Sequence, residues 1–377
     1  MVNPRANARV VAAAAIALIA ASGCGGRGDG LQPSSGAQVG MPQVSRGAGS
    51  DVSVLKQLTK QVVIGSLADP NNGASNPYGL AVAPVSAGKL TAGDLVVCNF
   101  NSKSNQQGSG KSIVAIHPKP GSKPIHLTAS QTVLGCDALA LSSDDTIWAA
   151  AMVANDNPVI GADGKLLVNI YGKPFSQPWG QIFAAPQSAP PAFYETNAAT
   201  GTVVRINLGS SFTYDVIASN FPRNHGVAGT ALAPSGLAYD ASNDTLYFVD
   251  GKNDTLVAFS NVSNIPAGGI QAKKNGTEFE GPNASDARIV FSGKPLNGPI
   301  STALLPNGNL VVGNTLDPDG KNLMVEIATD GSLLDVLNVD KGPAGSIFGM
   351  VATGTSNSNT KVYFNDDNDT NLQVLEH

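Results

Sequence analysis

Six residues of this chain occupy one equivalent position: Tyr78, Asp137, Trp179, Ser235, Ile300 and Phe348. Each is the second residue of a short apolar segment: PYGLAVA (77–83), CDALALS (136–142), PWGQIFA (178–184), PSGLAYD (234–240), PISTALL (299–305) and IFGMVAT (347–353). Brought to one place they would form a ring that is mostly aromatic and apolar, with Asp137 its only carboxylate. Such a ring suits stacking on a sugar or a peptide with one polar contact. It does not suit a hard cation, which needs several converging oxygens. Ser235 adds one weak neutral oxygen, and Asn76 lies two residues away from the ring position.

The histidines are few. His117 and His126 flank the Pro/Lys-rich turn HPKPGSKPIH and read as edge residues beside a cationic turn. His377 is C-terminal. His225 lies in NFPRNHGVAGTALAPSG (220–236), a long segment before one of the apolar anchors, where Arg223 and His225 would reach a polar or anionic ligand together with Asp137. No Ser-His-Asp set can be assigned, and no GxSxG stands at a strand-to-helix turn. The turns DGKNDT (250–255), NTLDPDGKN (314–322) and NDDNDTN (365–371) resemble calcium loops, but none has the twelve-residue pattern ending in Glu. Asn and Asp also close tight turns through their own backbone, which accounts for their recurrence. No cofactor is therefore predicted, although one of these loops leaves room for Ca2+ or another divalent ion.

The elements that must position these residues are strands. Charged residues make up only 14% of the chain, while Gly (42) and Pro (24) are abundant. That composition suits a turn-rich β protein and leaves too few charges to clothe many amphipathic helices. The six anchors recur about every 40 to 65 residues, as blade-sized repeats do. After each comes a second strand (DLVVCNF, TIWAAAM, AFYETN, TLYFVD, NLVVGN, KVYFND), a polar turn and a third (SIVAIHP, LLVNIYG, TVVRINL, TLVAFSN, NLMVEIA, NLQVLEH). Fourth strands follow some units: FTYDVIAS (212–219), ARIVFSG (287–293) and LLDVLNVD (333–340). Four short antiparallel strands make one propeller blade, and six units predict an all-β, six-bladed β-propeller. The last unit holds only three strands, so KQVVIGSLAD (60–69) is the expected donor of the fourth.

These units resemble NHL-type repeats and the wider six-bladed propeller superfamily, best over GLAYD…TLYFVDGKNDTLVAF. Blades 2 and 3 depart from the pattern, with Cys136 and Asp137 in place of Pro-x and Gln181 interrupting an apolar strand. The resemblance implies a ligand surface at the channel mouth. There the loops before each first strand meet those between second and third strands, and NFNSKSNQQGSGKS and VANDNPVIGADGKL look long enough to decorate it. Regucalcin-like gluconolactonases of this architecture hold a divalent metal through a Glu, Asn residues and an Asp. This chain does not reproduce that set, and Ser235 stands where an Asn would be expected. Virginiamycin B lyase, another propeller enzyme, relies on a His base.

The N-terminus reads as a targeting signal. Arg5 and Arg9 precede the apolar run VVAAAAIALIAA, too short for an ordinary membrane span. The following ASGC resembles a bacterial lipobox, with Cys24 as the lipidated residue and Ala21 where the pattern prefers Leu. The expected organisation is a signal peptide over 1–23, a flexible Gly/Ser-rich tether over 24–59 and the propeller over 60–377. RGD at 27–29 is read as chance within that tether. Cys98 and Cys136 remain, either bridged in an oxidising compartment or as two separate buried thiols.

The net charge of −5 and the absence of a Lys/Arg cluster give no nucleic-acid footprint. The expectation is a monomer in the cell envelope, lipid-anchored to the outer membrane by the sorting signal at Gly25. It would be a non-enzymatic binding or scaffold protein for an envelope protein, a glycan or a small molecule, through Tyr78, Asp137, Trp179, Arg223, His225, Ser235 and Phe348. The alternative is a metal-dependent hydrolase or lyase using Asp137.

Overall fold

The repeat PSGLAYDASNDTLYFVDGKNDTLVAFS shows why these residues form strands and turns. Its strands run Pro234–Asp240, Thr245–Asp250 and Thr255–Phe259 and are closed by Ala287–Ser292. Thr245–Asp250 is buried along its whole length, which β-branched and aromatic residues in the middle of a sheet permit. Asp244 and Asp254 turn the chain with φ of 52° each, a left-handed conformation that Asp tolerates better than most residues. Asp240 accepts hydrogen bonds from Ser242 N and Oγ, and Asp250 accepts one from Lys252 N. Within DGKNDT, Asp250 thus closes the turn on its own backbone, while Asp254 accepts from Gly298 N and Asn253 donates to Asn275 O.

A computed structural model of the protein describes residues 50–377. Six small sheets contain the first strands Ser75–Val82, Cys136–Leu141, Pro178–Ala184, Pro234–Asp240, Ser301–Leu304 and Ile347–Thr353, the six anchors, innermost in blades 1 to 6. The sixth blade is completed by Lys60–Ser66, which pairs antiparallel with Asn371–Glu376, so the first strand of the domain closes the ring. That closure removes a sheet edge. Among the described residues no helix is long and apolar enough to cross a membrane.

The anchor motif has a packing reason. Its third position is small in every blade: Gly79, Ala138, Gly180, Gly236, Ser301 and Gly349. A Cβ on Gly79 would lie 2.8 Å from Ala138 Cα in the next blade, and one on Gly349 would run into the Tyr78 carbonyl. The innermost strands therefore approach one another backbone to backbone. In five of the six blades the register slips at this point, a bulge that aims the second residue at the channel mouth. Apolar layers fill the space between neighbouring sheets, for example Tyr194, Phe221, Phe248 and Phe259 between blades 3 and 4.

Four details differ from the reading of the sequence or extend it. In blade 2 the third strand is Asp156–Ile160, and LLVNIYG supplies the fourth, Leu166–Tyr171. The segment VANDNPVIGADGKL is thus no loop; Pro158 and its polar flanks hid a strand whose last four residues are buried. In blade 4 an insertion before the fourth strand carries a small hairpin, Ile270–Ala272 with Phe279–Glu280, which extends blade 3 by parallel pairing with Thr213–Ser219. The expected tether reaches residue 59, yet Val54, Leu55 and Leu58 are buried against blades 5 and 6. The buried Glu326 carboxylate holds that segment by accepting from Ser53 Oγ, Val54 N and Leu55 N. Finally, Cys98 in blade 1 and Cys136 in blade 2 are joined as a disulfide with Cα atoms 5.5 Å apart, which staples two neighbouring sheets. Cys24, the signal segment and the RGD tripeptide lie outside the described residues.

Candidate ligand site in the central channel

The six first strands give the channel two unlike ends. At the end where these strands begin, the ring residues are packed rather than open. Tyr78 is 3% exposed and Trp179 5%, and Ser235 is fully buried. Tyr78 is sandwiched between Phe100 and Phe348, with ring centroids 4.1 and 3.5 Å away. Trp179 packs with Met152, Ala198, Ala231, Ala233 and Ile300. Ser235 Oγ donates to Val249 O at 3.5 Å, and its carbonyl accepts from Thr196 Oγ1.

Loops from three blades roof this ring. Gly108 leaves no room for a side chain between Val153 and Ala228, and Gly229 sits against Gln107. The roof segment over 220–233 is held by Asn224, whose Oδ1 accepts from Gly226 N and Leu232 N while Nδ2 donates to Thr230 O. His225 is exposed there with φ of 56°, and Arg223 is half-buried. Neither is joined to Asp137 by a hydrogen bond or ion pair among the described residues. His117 and His126 do not meet: His117 Nδ1 lies 2.9 Å from Asp94 and His126 Nδ1 2.9 Å from Asp69, on separate partners.

The other end opens into a cavity of about 600 Å3, within the range of small-molecule sites. Its walls are layered by blade. Val82, Leu141, Phe183, Tyr239, Leu304 and Ala352 form the outer ring, and Leu80, Leu139, Gln181, Leu237, Thr302 and Met350 the floor. No Lys, Arg or His lines it, and its one carboxylate, Asp240, is occupied by Ser242. The floor ring also bounds a narrow throat that continues toward Asp137, Trp179 and Phe348, so funnel and throat are parts of one channel.

The polar side-chain groups along the throat end in oxygen or, for Gln181, an amide. Asp137, 5% exposed, has Oδ1 without a partner, and burial pushes its carboxyl well above the usual range. Burial also raises the Tyr78 phenol, with smaller contributions from Asp137 and Asp367. Gln181 donates Nε2 to Asn157 Oδ1 at 3.1 Å and leaves Oε1 unpartnered. Ser301 Oγ and Thr302 Oγ1 donate to Ile347 O and Val311 O, which leaves only their lone pairs for the channel. Behind Gln181 stands Glu195, fully buried and directly opposite it in the sheet. Burial raises the Glu195 carboxyl strongly, and the neighbouring Asn157 and Asn197 amides offset this only in part, with neither in hydrogen-bond geometry.

A hard divalent cation prefers six or more oxygens, and the throat offers one carboxylate and one amide oxygen beside two hydroxyls. These residues do not fit a lactonase-type metal. Among the described residues no three His, Cys, Asp or Glu side chains group where they could hold a metal ion.

The chain is a six-bladed β-propeller with structural neighbours among the lactonase and lyase propellers. A gluconolactonase from Xanthomonas campestris superposes with a TM-score of 0.54 at 16% identity, over 80% of this chain and 86% of that one. Virginiamycin B lyase from Staphylococcus aureus gives 0.51 at 14% identity, over 84% and 98%. A chain of the nidogen/laminin complex gives 0.51 at 14%, over 75% and 87%. At such identity the likeness shows the fold alone. No protein-family model matches the sequence, and no curated protein matches it.

The sequence marks Asp137 as the lone charge of its ring, but the funnel was not found from it. A signal for it was present: the sixth anchor position is apolar or aromatic in every blade and the fourth is apolar in four, with Gln181 and Thr302 the departures.

Proposed function

We propose that the protein is a non-enzymatic binding protein of the bacterial envelope, carried on a lipid at Cys24, that takes a small, largely apolar molecule into the wide end of its channel. One observation carries this reading: the same six strands are roofed at one end and open at the other into an apolar cavity of about 600 Å3. The ring once expected to be the ligand surface is occupied by its own aromatic packing, which leaves the funnel as the accessible concave site. Burial of an apolar ligand there gains roughly 25 cal/mol per Å2 of surface removed from water, without any chemical step.

The test uses the full chain carrying Cys24→Ser and the neutral dye N-phenyl-1-naphthylamine. Saturable enhancement of fluorescence at one dye per chain is expected, and Leu304→Trp, which fills part of the funnel from its half-buried outer ring, should weaken it strongly. Equal dye binding by the filled variant would sink the proposal. The anchor is tested by the same Cys24→Ser change, which should move the protein from the membrane fraction to the soluble one; unchanged membrane association would rule the lipid out.

A further inference from the structure

The channel contains an arrangement that an apolar site alone does not need. Its wide part is lined mainly by aliphatic and aromatic side chains, whereas its narrow part is bounded by four oxygen-bearing side chains, Asp137, Gln181, Ser301 and Thr302, and no cationic group. Two of their oxygens, Asp137 Oδ1 and Gln181 Oε1, are buried and have no partner. The Gln181 amide is fixed in this sense because its Nε2 is already committed to Asn157. Ser301 and Thr302 have spent their protons on backbone carbonyls, so they too can only accept.

Unpaired buried acceptors are costly, and a ligand that supplies donors recovers that cost. Asp137 has no protein cation beside it and its carboxyl is pushed up by burial, so it gives up its proton only in the presence of a donor that is also positive, which is its best complement. We propose that the channel binds an amphiphilic primary amine, with its apolar tail in the funnel and its ammonium group in the throat between Asp137 and Gln181. The proposal rests on the binding reading above and names the ligand class for that same site. Three N–H donors of an ammonium match Asp137, Gln181 and one of the two hydroxyl oxygens.

The experiment compares three probes that share a ten-carbon chain: decylamine, 1-decanol and decyltrimethylammonium, each displacing N-phenyl-1-naphthylamine from the full Cys24→Ser chain. Decylamine should bind about tenfold or more tightly than 1-decanol, the effect of a charge-assisted hydrogen-bonded pair. Decyltrimethylammonium, which has the charge but no N–H, should lose that advantage. Asp137→Asn should bring decylamine to the level of 1-decanol, and cooperative thermal unfolding of the variant confirms that it is folded. Gln181→Leu should weaken decylamine several-fold. Equal binding of amine and alcohol by the parent chain, or an amine advantage that survives in Asp137→Asn, overturns the inference, as does a quaternary probe that binds like the primary amine. Dye binding without displacement by any probe also overturns it and spares the binding reading; a chain that binds neither dye nor probe overturns both.

Discussion

The two ends of the channel are built from the same six strands, yet one is a plug and the other a basin. At the plug, the second anchor residues are large and the incoming loops are long, so Tyr78, Trp179, Ile300 and Phe348 find partners among Phe100, Met152, Ala231 and Ala233. At the basin, the connection between Asp240 and Thr245 is too short to fold back over the opening, and the longer one of blade 1, over 83–94, bonds through Lys89 N to Ala162 O of blade 2. Where the loops pack thus sets the difference between the two ends.

That contrast can be broken by mutation. Trp179→Ala removes a packed, 5%-exposed indole from the plug and should cost about 4 kcal/mol in urea unfolding, in line with other buried aromatic truncations. Phe183→Ala in the basin wall removes a half-exposed ring and should cost about 1 kcal/mol. Similar losses at both sites would mean that the basin is as much core as the plug.

A smaller effect sharpens the comparison through pH. The Asp137 carboxyl is raised in the fold, so the folded state holds a proton that the unfolded chain releases above its ordinary pKa near 4. Its contribution to stability is therefore intact below about pH 4 and declines as pH rises toward the folded value. Asp137→Asn should flatten the profile between pH 4 and 7 by up to about 1.4 kcal/mol per pH unit. Asp250 and Asp367, each pushed up to about 7, mainly by burial, should keep part of the slope in the variant. An unchanged profile would show that Asp137 is solvated in solution and that the plug leaks.

The ring was legible in the sequence because each blade repeats one local rule: small residue third, mostly apolar fourth to sixth, Asx turn, second strand. Ring closure followed from counting strands in the last unit. Blade 2 was misread because Pro158 and Asn157 weaken the strand signal of Asp156–Ile160, and only pairing with Ile147–Ala151 and Leu166–Tyr171 makes it a strand. The roof was not legible at all, since Gly108, Val153 and Ala228 belong to different blades and meet only in three dimensions. Asp137 was visible as an odd residue in its ring. That Gln181, Ser301 and Thr302 bound the same throat required the three-dimensional arrangement of the strands.

The closing strand also fixes the order of events in the life of the chain. Lys60–Ser66 is made early and finds its partner only once Asn371–Glu376 has been made, so no partial product can seal the sixth blade. Until then Lys361–Asp366 presents a free edge and the early strand waits unpaired. A chain lacking residues 371–376 would keep five complete blades and two sticky ends, which makes the intact ring a built-in check on finished synthesis.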